Sequence, residues 1–553
     1  MVFVPGGDYR LVAWRRPTDA NVKLDEYFVD QCEVTNGEYQ EFVQAGGYKD
    51  EQFWPHPFVK GGRTLSHKEA MLELKDLTGC AGPRGWSNQN FPDGTANHPV
   101  TEVTWYEAAA YAAFRGKRLP TIFQWEKAAR DGAHNPLGLM MPWGMLQGST
   151  AGRANFSDQG VSGTIPVGRL EFGMSPYGCY EMAGNVSEWC LNETSEGFIT
   201  SGGSWASLAH EFGYYGTYPG LYYSPRIGFR CVANRSSVTG DQGASRISID
   251  NEVPQYTAEP ESKVKDWFAN YNYVLTDLDE RVVEVKETNE WRREKISYLG
   301  ADGDRVLAYL YLPPKQFPGP HQVIHLVPAG DVTKGHRSVP QSIEADYASF
   351  VRSGRAIFSV VLRGYPERKR PGDWTEPRLG DREFVVDVAR DIVDLRRGLD
   401  YLESRDDVVD TSKIAFMQAS AGGIIMTLPA IDARYRAVVL WGAGINKRYE
   451  TQVHPEARSI NFAPLIRAPK LLVQGLYDET TPLTTRWKPL YNLLSEPKQK
   501  KLYPGGHRPD EQVLVRAVNT FLDEQFGCVA LLGSEALDTT PRSTHSASAS
   551  TDE

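Results

Sequence analysis

The sequence predicts two domains. Residues 1–235 should form one unit with few long helical patterns, and residues 263–530 a doubly wound, mostly parallel α/β sheet. Three observations predict this. At 553 residues the chain is too long for a single hydrophobic core. Its texture changes midway: Trp, Tyr, Gly and Asn dominate up to about residue 235, whereas apolar runs alternating with an amphipathic helical pattern begin at about residue 263. Between them lies a polar stretch, VTGDQGASRISIDNEVPQYTAEPES, rich in Gly, Pro and Ser. Such a composition buries little, so 236–262 reads as a linker. Residues 531–553, ending in STHSASASTDE, are Ser/Thr-rich and expected to be disordered.

The strands of the second domain come first. VIHLV (323–327), AIFSVV (356–361), KIAFM (413–417), AVVLW (437–441) and KLLVQ (470–474) are continuous apolar runs, with KKLY (500–503) a shorter sixth. Runs of this kind suit parallel strands covered on both faces. In REFVVDVARDIVDLRRGLDYLESR, residues Val385, Val388, Ile392, Leu395, Leu399 and Leu402 recur every three or four positions, as on one face of a helix. Strands alternating with helices place chemistry at the carboxyl ends of the strands.

The segments just past three of those strands carry residue types suited to chemistry. After 413–417 comes QASAGG with Ser420, after 470–474 comes GLYDETTP with Asp478, and after 500–503 comes PGGHRPDE with His507. The order Ser, Asp, His, with room for one βα unit between each pair, is that of α/β-hydrolases. In that arrangement His507 takes the proton of Ser420, and Asp478 fixes the imidazole tautomer. The backbone amide of Ala421, with that of Ala329 or Gly330 in PAGDVTKG, would form an oxyanion hole. One residue departs from the usual G-x-S-x-G turn: Gln418 stands where the first glycine belongs. Each residue taken alone also has an ordinary structural reading, as a turn serine, a capping aspartate or a solvated histidine; their conjunction points to the triad.

Residues 263–527 resemble dienelactone-hydrolase and prolyl-oligopeptidase-like serine hydrolases. WRREKISYLGADGDRVLAYLYLP, SGRAIFSVVLRGYPER, INFAP and LVQGLYDETTPL are more specifically similar to the hydrolase module that closes certain bacterial Ser/Thr-kinase fusion proteins. No Gly-rich loop, H-R-D or D-F-G segment is present, so the chain itself is not read as a kinase. Loops RGYPERKRPGDW and INKRYETQVHPEARS would lie over the site. Their Arg363, Arg368, Arg370 and Arg448 could meet an anionic substrate, but solvated loop charge is the simpler reading.

In the first half, MVFVPGG, HPVTEVTWYEAAAYAAFRGKRLPTIFQWEKAAR, YEMAGNVSEW, SGGSW and IGFRC run in order through residues 1–233. Together they closely resemble the formylglycine-generating-enzyme (sulfatase-modifying factor) family, which implies a C-type-lectin-like α+β fold with little regular structure. The oxidases of that family hold copper through two cysteines, and thiolates suit soft Cu(I). The matching positions here carry Ser207 and Phe212. The resemblance also implies a structural calcium at Glu181, Gly184, Val186 and Glu188, an oxygen donor set that suits a hard cation. The expectation is therefore a non-oxidase domain that shapes the cleft or binds a partner, no cofactor for catalysis, and structural calcium as its metal.

Bulk properties narrow the partners. A formal charge of −10 argues against nucleic acid. No apolar run approaches the roughly 18 residues of a membrane span, and MVFVPGGDYR has no charged leader before an apolar stretch, so no signal peptide is expected. Cys32, Cys80, Cys179, Cys190, Cys231 and Cys528 are scattered without a C-x-x-C pair, a reduced, cytoplasmic pattern. The expected substrate is a small-molecule or peptide ester, thioester or amide; a homo-oligomer is compatible with the sequence. Two alternatives stay open: a non-catalytic binding or scaffold protein, and a metal-dependent oxidase acting through the first half.

Overall fold

The computed structural model describes residues 1–11, 20–130, 141–144, 150–159, 161–234, 246–247, 253–300, 303–328, 337–368, 380–420 and 426–529. In the first half, three of the helices, Asn36–Gln44, His67–Glu73 and Trp105–Phe114, begin at a Ser or Thr three residues before a Glu. Thr35/Glu38, Ser66/Glu69 and Thr104/Glu107 form reciprocal capping boxes that satisfy the first free amides of each helix. Strands are short. Val2–Val4 and Val232–Asn234 both pair antiparallel with Tyr27–Val29, which ties the two ends of this half together. A second sheet orders Ile227–Gly228, Ser187–Glu193, Phe198–Ser201 and Gly216–Tyr218. Aromatic side chains fill the space that so little regular structure leaves. Tyr39, Phe42, Trp54, Trp86, Trp105 and Phe229 are buried in one cluster.

The second half is built on a nine-stranded sheet. In chain order its strands are β1 Arg281–Glu287, β2 Arg292–Leu299, β3 Arg305–Leu312, β4 His321–Val327, β5 Ala356–Val360, β6 Val409–Ala419, β7 Tyr435–Trp441, β8 Lys470–Gly475 and β9 Lys498–Tyr503. The spatial order is β1-β2-β3-β5-β4-β6-β7-β8-β9. All six apolar runs are strands, and β4 to β9 are mutually parallel. The strands β1 to β3 are antiparallel and went unpredicted. β1 is exposed along its whole length, so no buried run marks it. Helix α1, Arg382–Glu403, buries the six residues of the predicted face. Helix α2, Glu511–Phe526, buries Leu514, Val518, Phe521, Leu522 and Phe526.

β2 to β9 follow the strand order of the α/β-hydrolase fold. The order reverses between β4 and β6, where Val327 lies opposite Gln418. Crevices at such switch points are where open α/β sheets bind ligands. Part of the expected linker is anchored: Ile247 is buried in the core of the first half, with its amide on the Glu193 carbonyl at 2.9 Å. Residues 531–553 lie outside the described residues. Among the described residues, no helix is long and apolar enough to cross a membrane.

Candidate active site

Ser420 directly follows β6 and adopts φ 59°, a left-handed conformation that a non-glycine residue enters only in a tight turn. Its amide donates to the Trp441 carbonyl at 2.7 Å, which ties the turn to β7. Ser420 thus stands in a tight turn at the carboxyl end of β6, half-buried. His507 reaches it from the loop after β9: Nε2 is 2.8 Å from Ser420 Oγ, and Nδ1 is 2.7 Å from Asp478 Oδ2.

Asp478 is held by a turn of its own making. Its Oδ1 accepts from the amides of Thr480 at 2.8 Å and Thr481 at 2.6 Å, and its Oδ2 accepts from Gln474 Nε2 at 2.8 Å. Two glycines make room for these loops. A Cβ on Gly442 would sit 2.8 Å from His507 Cε1, and one on Gly475 would sit 2.1 Å from the Gly506 carbonyl oxygen. Side chains at either position would push the histidine loop away.

Burial is the largest influence on His507 and disfavours its cation. The neighbouring Asp478, with Glu211 and Glu479 behind it, outweighs that cost and raises the pKa above the ordinary imidazole value. Burial, then Asp478, then Glu211 push the Glu479 carboxyl up to about 7. Glu211 belongs to the first half, so the electrostatics of the histidine are set from both halves.

Ala421, Ala329 and Gly330 lie outside the described residues, so the oxyanion donors are unplaced. Gln418 is fully buried in β6, and among the described residues neither of its amide atoms has a hydrogen-bond partner. Two of the loop arginines are neither solvated nor free. Arg368 is buried and donates to Asp394 at 2.7 Å, and Arg363 lies 3.9 Å from the same carboxylate. Arg370 and the side chain of Arg448 lie outside the described residues.

The calcium expectation needs correction. Both oxygens of Glu188 accept from the Arg230 guanidinium, at 2.7 and 2.8 Å, and Oε2 also accepts from Trp125 Nε1 at 2.8 Å. Glu181 accepts from the amides of Gly168, Arg169 and Leu170. With both carboxylates engaged by donors and a guanidinium against Glu188, only the carbonyls of Gly184 and Val186 remain, and the set does not fit calcium. Of the two positions matching the copper ligands, Ser207 Oγ caps the Ser204 amide at 3.0 Å, and Phe212 is buried with Arg130 over its ring at 4.3 Å. Cys190 and Cys231 are fully buried, and burial pushes both thiols up.

Sequence reasoning expected the first half to shape the cleft but did not name the residues of the seam. Tyr218 and Tyr222 stack at 4.7 Å, and Tyr477, one residue before Asp478, stands edge-on to both at 5.5 and 5.1 Å. Arg226 Nη1 donates to the carbonyl of Arg508, one residue after His507, at 3.4 Å. The only hint in the sequence was an aromatic residue beside each loop.

Fold and site together combine a sheet of α/β-hydrolase strand order, bearing a Ser–His–Asp hydrogen-bonded chain, with an α+β first half. Residues 1–235 match the sulfatase-modifying factor enzyme 1-like domain. Over 261 residues the chain is 30% identical to the formylglycine-generating enzyme of Thermomonospora curvata, covering 38% of this chain and 83% of that enzyme. It therefore belongs to the formylglycine-generating enzyme family. It is also 33% identical to the serine/threonine-protein kinase Pkn1 of Chlamydia trachomatis, over 36% of this chain and 29% of the kinase. Hercynine oxygenase of Mycolicibacterium smegmatis is 32% identical, over 34% of this chain and 44% of the oxygenase. The chain thus spans less than half of these last two relatives. Among solved structures, the acetyl xylan esterase from Paenibacillus sp. R4 aligns at TM-score 0.39 and 21% identity, over 50% of this chain and 98% of that one. The glucuronoyl esterase from Solibacter usitatus aligns at 0.36 and 16%, over 50% and 99%.

Proposed function

We propose that this protein is a serine hydrolase that opens an ester, thioester or amide carbonyl through an acyl-Ser420 intermediate. The observation that carries the reading is the unbroken chain Ser420 Oγ, His507 Nε2, His507 Nδ1, Asp478 Oδ2, with links of 2.8 and 2.7 Å. As a substrate carbonyl approaches, His507 Nε2 takes the hydroxyl proton while Oγ bonds to the carbonyl carbon. Asp478, oriented by the amides of Thr480 and Thr481 on its Oδ1, holds the Nδ1–H and stabilises the imidazolium. The amides of Ala421 and of Ala329 or Gly330 would receive the oxyanion. The adduct collapses, the bond to the leaving group breaks, and His507 returns its proton to that group. Water then repeats the sequence: His507 deprotonates it, the acyl–oxygen bond to Ser420 breaks, and Oγ is reprotonated.

The first half takes no part in redox chemistry on this reading, because Phe212 offers no donor atom and Ser207 no thiolate. Fluorophosphonate labelling tests the proposal. The probe should modify Ser420, Ser420→Ala should abolish modification, and folded wild-type protein that resists the probe overturns it.

A further inference from the structure

The acid loop of the hydrolase half is packed into the other domain. Tyr477 belongs with the aromatic core of the first half, against Tyr218 and Tyr222, rather than with the core of the large sheet. Its peptide is tied to the histidine loop, because the Tyr477 amide donates to the Gly505 carbonyl at 3.0 Å and that of Leu476 to the Tyr503 carbonyl at 2.9 Å. The histidine loop meets the first half as well. A Cβ on Gly506 would lie 3.0 Å from Glu479 Oε2 and 3.3 Å from the Tyr218 hydroxyl. Arg226 reaches the Arg508 carbonyl from the same side. Inside its own domain the histidine loop is fastened through the carbonyl of His507, which accepts from Tyr503 Oη at 3.1 Å and Trp441 Nε1 at 3.3 Å.

We propose that the formylglycine-generating-enzyme-like domain positions the Asp478 and His507 loops, with Tyr222 and Arg226 as its positioning residues. The inference rests on the serine hydrolase reading. Asp478 and His507 sit on separate loops that must agree to within a fraction of an ångström for proton transfer. The hydrolase sheet supports those loops from below. The first half closes them from above, with an aromatic clamp on the residue before the acid and a guanidinium on the residue after the base. None of these groups touches Ser420. They act on acylation and deacylation alike through geometry, so truncating the clamp should lower kcat and leave KM nearly alone. Retention of this domain without its copper-binding thiols then has a physical purpose.

The test uses the full chain. Tyr222 is half-buried at the seam, so Tyr222→Ala removes the clamp ring with little loss of core, and Tyr222→Phe restores the ring without the hydroxyl. Tyr222→Ala should lower kcat on an activated acyl ester about tenfold, with KM changed less than twofold, and Tyr222→Phe should recover wild-type kcat. A second readout does not need turnover: the strongly deshielded Nδ1 proton of the Asp478–His507 pair, seen by NMR, should weaken in Tyr222→Ala and return in Tyr222→Phe. Should Tyr222→Ala fail to melt cooperatively, Tyr477→Leu opens the seam from the hydrolase side and should give the same kcat loss and the same fading resonance. Wild-type kcat with an unchanged resonance in the truncated variants overturns the positioning role. A protein that shows the resonance and its dependence on Tyr222, yet resists fluorophosphonate, overturns the hydrolase reading and leaves the positioning role standing.

Discussion

Two sets of buried carboxylates, one in each half, are used in opposite ways. In the first half, the carboxylates at the positions expected to bind metal are closed off. Glu188 is locked to Arg230 with both side chains out of solvent, and Glu181 is saturated by three amides. In the second half, Asp478 keeps one oxygen for backbone amides and turns the other to His507, whose remaining nitrogen faces a serine that is not fully buried. A charge saturated on every side holds structure together. A charge that passes its interaction outward to a hydroxyl can do chemistry. The residue types are similar in both places; what differs is whether the last hydrogen bond ends inside the protein or at the site.

The largest expected effect tests the second half. Ser420→Ala or His507→Ala should cut turnover of an activated ester by at least about 10³-fold, and Asp478→Asn by about 10⁴-fold, with thermal melting little changed. Steady-state kinetics on purified variants check this. Equal activity in wild type and Ser420→Ala would place the chemistry elsewhere and erase the contrast between the halves.

In the first half the same kind of substitution should cost stability instead. Glu188→Ala strands the fully buried Arg230 guanidinium, and breaking a buried pair from one side costs about 3–5 kcal/mol. Urea unfolding should show that loss, while the rate of fluorophosphonate labelling at low denaturant changes little. Added calcium should leave the wild-type midpoint where it is. A calcium-dependent rise that disappears in Glu188→Ala would return the cation to this site.

The contrast also explains which features are legible in the sequence. Five of the six parallel strands were legible because both faces are buried, which writes a continuous apolar run; β9, the exposed edge strand, shows only its Leu-Tyr end. β1 was not, because it is exposed throughout, and β2 was not, because it alternates at its start; β3 does write a buried apolar run, VLAYLYL, which was read only as part of the family resemblance. The catalytic order was legible because each residue stands just past a strand end. The fate of Glu188 was not: its partner is 42 residues away and arrives only through the fold. Arg368 was misjudged for the same reason, since Asp394 lies on α1, 26 residues on. Tyr477 is equally silent in sequence, because nothing local says that its ring belongs to the other domain's core.

A third, smaller effect concerns pH and compares the two sides of the seam. His507 and Glu479 both have raised folded-state pKa values, the latter about 7. A raised pKa means that the folded state binds the proton more tightly. Each group then contributes stability that is full below its unfolded pKa and lost as pH climbs through its folded pKa. For Glu479 the window runs from the ordinary carboxylate range up to about 7. Stability should therefore fall with rising pH across that interval, and Glu479→Gln should flatten the fall by about 1–3 kcal/mol. Because Glu211 presses on the same carboxyl from the first half, Glu211→Gln should flatten it in part. Chemical denaturation at a series of pH values reads both, and an unaltered slope in Glu479→Gln removes Glu479 as its source.

The smallest effect lies two residues before Ser420. Gln418 occupies the position where the elbow pattern calls for glycine, and its amide is buried without a hydrogen-bond partner among the described residues. An unsatisfied buried polar group of this kind costs about 1–3 kcal/mol, and an apolar side chain of similar shape removes the cost. Gln418→Met should therefore raise the urea midpoint by the equivalent of about 1 kcal/mol. β6 continues through Ala419 and the Ser420 turn is pinned to Trp441, so the elbow itself needs nothing from the amide. The informative measurement is labelling rate against stability in the same variant. Higher stability with an unchanged rate makes Gln418 a tolerated departure from glycine. Higher stability with a slower rate means that the amide is kept, at a structural cost, for a partner that arrives only with the substrate.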